Sequence, residues 1–276
     1  VSTTTGASID QLIDEITRIP VQPGAAMRLM RMLDDPRTSA ESLGKVIESD
    51  PSLSARLIQL SNASFYGLSE PVSSAWRAVT VVGLATLRSV VATSILDIGT
   101  AEGLSVPDGF WTHAVATAAA SGLVAPRVGV DPGEAFSAGL LHDVGLALVF
   151  RRARDRYDEM LADRQDGEAL LTVELRTLGV DHCELGARAV AALGFGADAI
   201  EGVRSHHGGE GVSPFGAVLR AADVLAAMVL EESIPEAERD LDVALTAVNV
   251  AEHERQPLYQ RVCELVDDLE TLLGGA

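Results

Sequence analysis

The sequence predicts an all-α protein of two helical lobes. Three observations carry this. Apolar residues recur three and four positions apart through most of the chain, the spacing of one helix face. No useful length alternates at period two, the mark of a half-buried strand. Hydrophobic residues make up 47% of the chain but aromatics only 4%, so the core is built mainly from Ala, Val, Leu and Ile, which suits closely packed helices. At 276 residues and 29.0 kDa that core can be substantial.

The elements follow in order. Ile9 to Ile19 reads as a helix, with Ile9, Leu12, Ile13 and Ile16 on one face, and stops before Pro20. After Pro23 a second helix places Met27, Met30 and Leu33 together and ends at Asp34-Asp35-Pro36. Thr38-Ser39-Ala40-Glu41 has capping-box form and opens a third, with Leu43, Val46 and Ile47 inward. Asp50-Pro51 is a cap followed by proline at the first helical position. The helix it opens carries Leu53, Leu57, Ile58 and Leu60. Phe65-Tyr66-Gly67 and Pro71 mark a loop, and two apolar helices, Ser73–Val82 and Ala85–Ile98, flank Gly83. The segment Asp97–Asp108, with Gly99, Gly103 and Pro107, is the expected junction between lobes.

Beyond it, Phe110–Val128 is a long alanine-rich helix bearing Trp111 and His113, and a turn at Gly129–Gly133 leads to a helix ending at His142-Asp143. Arg151–Arg164 reads as a solvated helix after the buried Leu148-Val149-Phe150, with its basic knot Arg151-Arg152-Ala153-Arg154 at the surface. Glu168–Leu178 is a helix closed by Gly179, and Asp181 caps the next, which holds His182, Leu185 and Val190. After the turn Gly194-Phe195-Gly196 come a helix over Ala199–His207 and, from Pro214, a long one containing Asp223. An acidic linker, Glu231–Asp240, precedes amphipathic helices over Leu241–Val250 and Leu258–Leu273, expected to pack on the lobe or to mediate dimerisation. The predicted divisions are therefore 8–100, 106–230 and 240–276.

The formal net charge is −19, which argues against electrostatic capture of nucleic acid or an anionic membrane. Lys45 is the chain's single lysine, so a phosphate would have to rely on arginine, with Arg204 and Arg220 the candidates. Two cysteines, Cys183 and Cys263, give no disulfide framework. The first residues, Val1–Thr5, are polar and lack the apolar region of a signal peptide, and no window holds about 18 uninterrupted apolar residues. A soluble protein of the cytoplasm is the expectation.

The chemistry gathers in the second lobe. His142-Asp143 closes the run Ser137-Ala138-Gly139-Leu140-Leu141, and apolar residues resume at once with Val144-Gly145. Such a pair is costly in apolar surroundings unless charge or hydrogen bonds compensate it. A divalent metal would satisfy both groups; the alternative is a helix-end pair in which Asp143 caps backbone N–H groups. Of the six histidines, His113, His142, His182, His206 and His207 fall in apolar helices of this lobe, and His253 alone lies in a charged segment. Asp223 is likewise a carboxylate in an apolar helix.

Ile19-Pro20 with Pro23, Asp50-Pro51-Ser52-Leu53, Leu60-Ser61-Asn62-Ala63 and Ala78-Val79 to Gly83-Leu84 resemble, in order and spacing, the HDOD family of bacterial signalling proteins. The resemblance runs through Trp111 and the His-Asp stretch to about residue 225. It implies an N-terminal helical subdomain and a C-terminal lobe related to HD-type metal phosphohydrolases. His113, His142, Asp143 and Asp223 match the minimal one-metal set of those enzymes. His182, His206 and His207 match the extra ligands by which HD-GYP phosphodiesterases hold a second metal, bridged by Asp143. One or two ions of iron, manganese or zinc would suit these donors.

Three departures weigh against an enzyme. Gly208-Gly209-Glu210-Gly211-Val212-Ser213-Pro214 lacks the Gly-Tyr-Pro signature, Gly109 stands where three-metal relatives place a glutamate, and Leu146 replaces a lysine. The resemblance therefore implies a regulatory module that binds a signalling protein or a phosphorylated small ligand. The alternative is a metal-dependent phosphohydrolase acting on a nucleotide or other phosphoester through Asp143.

Overall fold

A computed structural model describes residues 24–96, 106, 109–164, 169–208, 212–230 and 237–273. The predicted helix over Ile9–Ile19, most of the Asp97–Asp108 junction and Gly209–Gly211 lie outside the described residues. Among the described residues there are thirteen α-helices and no strand.

Four helices form the N-terminal part: α1 (Ala25–Leu33), α2 (Ala40–Ile47), α3 (Pro51–Ser61) and α4 (Ala75–Ile95). The buried face of α1 centres on Leu29 and Met30, one step from the expected stripe. The cap of α2 is Ser39, whose hydroxyl accepts from the Ser42 amide, shifting the expected box by one residue. Asp50 accepts from the Leu53 amide and Pro51 opens α3, as its sequence dictates. The two helices expected around Gly83 are one kinked element. Gly83 adopts φ 80°, a backbone state that side-chain-bearing residues rarely enter, and turns the axis of α4 there.

The second part comprises α5 (Phe110–Val124), α6 (Pro132–Leu141), α7 (Val144–Ala162), α8 (Leu170–Leu178), α9 (His182–Ala192), α10 (Ala197–Ser205) and α11 (Pro214–Val229). Helix α5 is its spine. Its alanines, from Ala114 through Ala120, are 0–2% exposed, because small side chains let α6, α11 and a later helix close on it from several sides. The sequence expected a separate helix from Arg151; instead α7 runs unbroken from Val144 and buries Tyr157 and Met160 on its inner side.

Two further helices complete the chain, α12 (Ala237–Ala247) and α13 (Glu252–Leu273). Helix α13 begins at Glu252, before the expected start at Leu258, and its first turn is held by the Glu254 carboxylate accepting from the Ala251 amide and from Arg127. It packs on both α3 and α5, so Leu265 and Leu269 join the same core as Leu29, Leu57 and Phe136. Two stretches, Ala75–Ile95 and Pro132–Phe150, are long and apolar enough to cross a membrane, but both are mostly buried within the fold.

Candidate metal centre

The break between α6 and α7 is where the site is built. Helix α6 ends at Leu141 and α7 begins at Val144, leaving His142 and Asp143 in the joint. Asp143 occupies the cap position of α7 yet makes no side-chain capping bond, which removes the helix-end alternative. Gly145 explains how closely the elements meet. A Cβ there would lie 2.0 Å from the His182 carbonyl oxygen and 2.9 Å from the Gly186 nitrogen, so only glycine lets the start of α7 seat against α9.

Into this joint the fold brings all seven predicted residues. His113 comes from α5, His142 and Asp143 from the joint, His182 from the first position of α9, His206 and His207 from the end of α10, and Asp223 from the middle of α11. His206 and His207 lie just past the last residue of α10 rather than inside it. His142, His182 and His206 are fully buried, while the His207 side chain is 38% exposed and forms the open edge. His253 lies exposed elsewhere, as its charged segment suggested.

The imidazoles are aimed by their outer nitrogens. Nδ1 of His142 lies 2.8 Å from the Gly139 carbonyl oxygen, and Nδ1 of His206 lies 2.7 Å from that of Val203. A carbonyl can only accept, so each Nδ1 carries a proton and each ring, when neutral, turns an Nε2 lone pair inward. Nδ1 of His182 donates instead to the Glu174 carboxylate at 2.7 Å, which also accepts from the His182 amide and the Tyr157 hydroxyl.

Inside, donor faces donor. Nε2 of His182 is 3.0 Å from Nε2 of His207. Asp143 Oδ1 lies 3.5 Å from His182 Nε2 and 3.4 Å from His206 Nε2, and Oδ2 lies 3.3 Å from His142 Nε2. Asp223 Oδ1 is 2.9 Å from His113 Nε2 and 3.7 Å from His142 Nε2. Yet His142 Nε2 and Asp143 Oδ1 are buried without a hydrogen-bond partner. Buried polar atoms are rarely left so. Convergent, back-braced lone pairs around two unsatisfied atoms are what a cation requires, and these residues could hold one.

The buried donors set one another's charge. Burial would raise the carboxyl groups of Asp143 and Asp223, but the facing imidazoles hold both well below the usual range. Burial likewise opposes charge on His142, yet Asp143 and Asp223 raise it. His182 is raised well above its ordinary value against the same penalty, by Cys183, Glu174 and Asp143, and His206 is pushed up to about 10 by Asp143 and Cys183. Burial and the adjacent His206 push His207 down to about 3.

Two residues of the site were not singled out in the sequence. Cys183 is 3% exposed, with Sγ 3.6 Å from His182 Nε2 and 4.0 Å from His206 Nε2. Burial raises its thiol, but hydrogen bonds with His182 and His206 outweigh that and lower it. Glu174 is 1% exposed within α8. Its signal was the same as that of Asp223, a lone carboxylate among apolar helix residues (Leu170-Leu171-Thr172-Val173-Glu174-Leu175). Of the two arginine candidates, Arg204 is tied at the surface to Glu184 and Glu201. Arg220 packs over Gly208 beside His207, where a Cβ on the glycine would lie 2.6 Å from its Nη1.

Comparison with known proteins agrees with this architecture. The HDOD domain model matches residues 19–208. The chain belongs to the HDOD family. No curated protein matches the sequence. Among solved structures, a Shewanella amazonensis SB2B protein whose name proposes a phosphohydrolase shares 24% identity, with a TM-score of 0.72 over 96% of this chain and 99% of that one. A second protein from the same organism, whose name proposes a metal-dependent phosphohydrolase, shares 20% identity at a TM-score of 0.62 over 94% and 97% of the two chains. A protein from Marinobacter aquaeolei VT8, whose name proposes signal transduction, shares 20% identity at 0.65, over 96% of this chain and 64% of that one. At these identities the likeness establishes the shared HDOD fold.

Proposed function

We propose that this HDOD protein is a bacterial regulatory module of the cytoplasm, in which the state of the His/Asp centre is passed to a protein-binding surface. One observation carries the reading. The helices that present the donors also grip the N-terminal part. Helix α9 begins at His182, and the carbonyl of Leu193 at its end accepts from Arg88 of α4 at 2.9 Å; the same guanidinium bonds Asp34 at 2.9 Å. Helix α6 ends at Leu141, next to His142, and packs along α4, with Ser137 Oγ 3.5 Å from Thr86 Oγ1. Displacing a donor therefore moves an element held at its far end by the N-terminal helices.

One or two bound divalent ions would be held among His113, His142, Asp143, His182, His206, His207 and Asp223, and would supply a fixed positive charge at the joint. Iron, manganese and zinc all suit the donors. The residues' own task is then to brace the imidazoles and exclude water from the buried side.

A second reading, hydrolysis of a phosphoester, rests on the open edge. There His207 reaches solvent and Arg220 lies beside Gly208, a cation positioned to meet a phosphoryl group. In that case Asp143 would serve the reaction.

Metal content per chain, on untagged protein purified without chelator, is the first test. The regulatory reading expects bound metal that Asp143→Ala loses, and slowed amide exchange in α4 on metal loading. Metal-free protein whose exchange is indifferent to added zinc or manganese would overturn it. Turnover of bis-p-nitrophenyl phosphate by the loaded protein, abolished in Asp143→Ala, would establish the hydrolase instead.

A further inference from the structure

The donors do not form one uniform shell. Those on α9 and α10 converge separately as His182, Cys183, His206 and His207, with one ligand atom from each lying within 4.8 Å of the others. His113, His142 and Asp143 form the other group. The sulfur belongs to one side only.

We propose that the α9/α10 side is a zinc site with a thiolate ligand, held by Cys183 Sγ and the Nε2 atoms of His182, His206 and His207. The inference rests on the reading that the centre binds metal, and adds a ligand and a selectivity to it. Tetrahedral zinc has Zn–S of about 2.3 Å and Zn–N of about 2.05 Å, so its ligand edges are roughly 3.6 Å for S···N and 3.3 Å for N···N. The structure gives 3.6 and 4.0 Å for sulfur to His182 and His206, and 3.0 Å for His182 to His207. Small ligand shifts therefore close the shell. His182 and His206 are braced through Nδ1 by Glu174 and the Val203 carbonyl, so both rings already present Nε2 toward the sulfur.

Chemistry gives the same answer. A thiolate is a soft donor that favours zinc over manganese or magnesium, whereas His142, Asp143, His113 and Asp223 are a mixed nitrogen and oxygen set that suits manganese or iron. Cys183 is buried in this shell, and Cys263 stands apart on α13. On binding, the S–H proton leaves to solvent and the sulfur lone pair forms the metal bond. The shell would leave the ion closed on the α9 side, with His207 as its most exposed ligand.

The test uses the full chain, stripped of metal and titrated with Co(II), whose bond to thiolate produces a near-ultraviolet charge-transfer band. The expected result is that band in the unaltered protein and in Cys263→Ser, and its loss in Cys183→Ser. X-ray absorption at the zinc edge of the unaltered protein should show a sulfur scatterer, so the question is decided even if Cys183→Ser fails to fold. Cobalt and zinc bound without the band and without sulfur would overturn the thiolate site while leaving a metal centre in place. A band that persists in Cys183→Ser and vanishes in Cys263→Ser would also overturn it. No binding of either ion would overturn both readings together.

Discussion

His142 and His206 fix their rings on neutral backbone carbonyls, whereas His182 leans on a buried carboxylate. The two sides of the centre differ in where they hold their carboxylates, for a charged brace occurs only on the side of His182. On the α6/α7 side the inward atoms include the anionic Asp143 and Asp223, and the outer brace is uncharged. On the α9 side the inward atoms are imidazoles and a thiol that share Asp143 with the other side, and a second carboxylate, Glu174, sits behind His182. Asp143 thus puts negative charge among the inward donors of both sides, and the α9 side alone adds a carboxylate behind a donor. An inward carboxylate meets the cation directly, while one behind a donor tunes that donor's basicity and orientation.

If that comparison holds, the largest loss follows from removing the inward carboxylate that both sides share. Asp143 is within 3.5 Å of His142, His182 and His206. Asp143→Ala should abolish metal retention and lower stability by about 3–5 kcal/mol, the cost of breaking a buried charge network. Urea denaturation with metal analysis reads both, and a variant as stable and as metal-rich as the parent would show that the two sides are independent. Next comes the joint that holds them together. Gly145→Ala drives a methyl group against the His182 carbonyl, and should cost roughly 1–3 kcal/mol through overpacking, with metal binding weakened on both sides. An unchanged denaturation midpoint would refute the close seating of α7 on α9.

Much of this was legible from residue order. Helical spacing placed Leu43, Val46 and Ile47 of α2 and Leu53, Leu57 and Leu60 of α3 in the core, where the structure has them. The seven His and Asp residues were picked out because five histidines and Asp223 are anomalous in apolar helices and fall in the order of a known family. What was missed was missed for physical reasons. Cys183 reads as an ordinary small apolar residue in sequence, and only the fold turns its sulfur toward His206, 23 positions away. Glu174 gains its meaning through His182 and Tyr157, partners on two other helices. The last helix was expected from Leu258, but the contacts of Glu254 with Ala251 and Arg127 hold a first turn that begins at Glu252.

The brace behind the α9 side gives a smaller effect. Glu174→Gln keeps the shape and an acceptor oxygen but removes the negative charge behind His182. Metal affinity should fall about 10–100-fold, with the ion still bound at saturation, as for other supporting residues of metal ligands. Competition with a chromogenic chelator measures this. An affinity unchanged by Glu174→Gln, or lost outright, would mean that Glu174 is not a tuning group behind the donor.

The smallest effect is in the pH dependence, and metal should reverse its sign. In metal-free protein His142, His182 and His206 have folded values above the ordinary 6.5, with His206 at about 10. A raised imidazole contributes stability that is complete below about 6.5 and is lost as the pH climbs through its folded value. His207, pushed down to about 3, is neutral in the folded chain throughout that window and adds little to the slope. The metal-free chain should therefore melt a few degrees lower at about pH 9 than at about pH 7. With metal the donors must be deprotonated, so protons compete with the ion and the loaded chain should melt higher at about pH 9 than at about pH 7. Scanning calorimetry of both forms at the two pH values reads the slopes. Slopes of the same sign would mean that the imidazoles facing the carboxylates are not the groups that the ion displaces protons from.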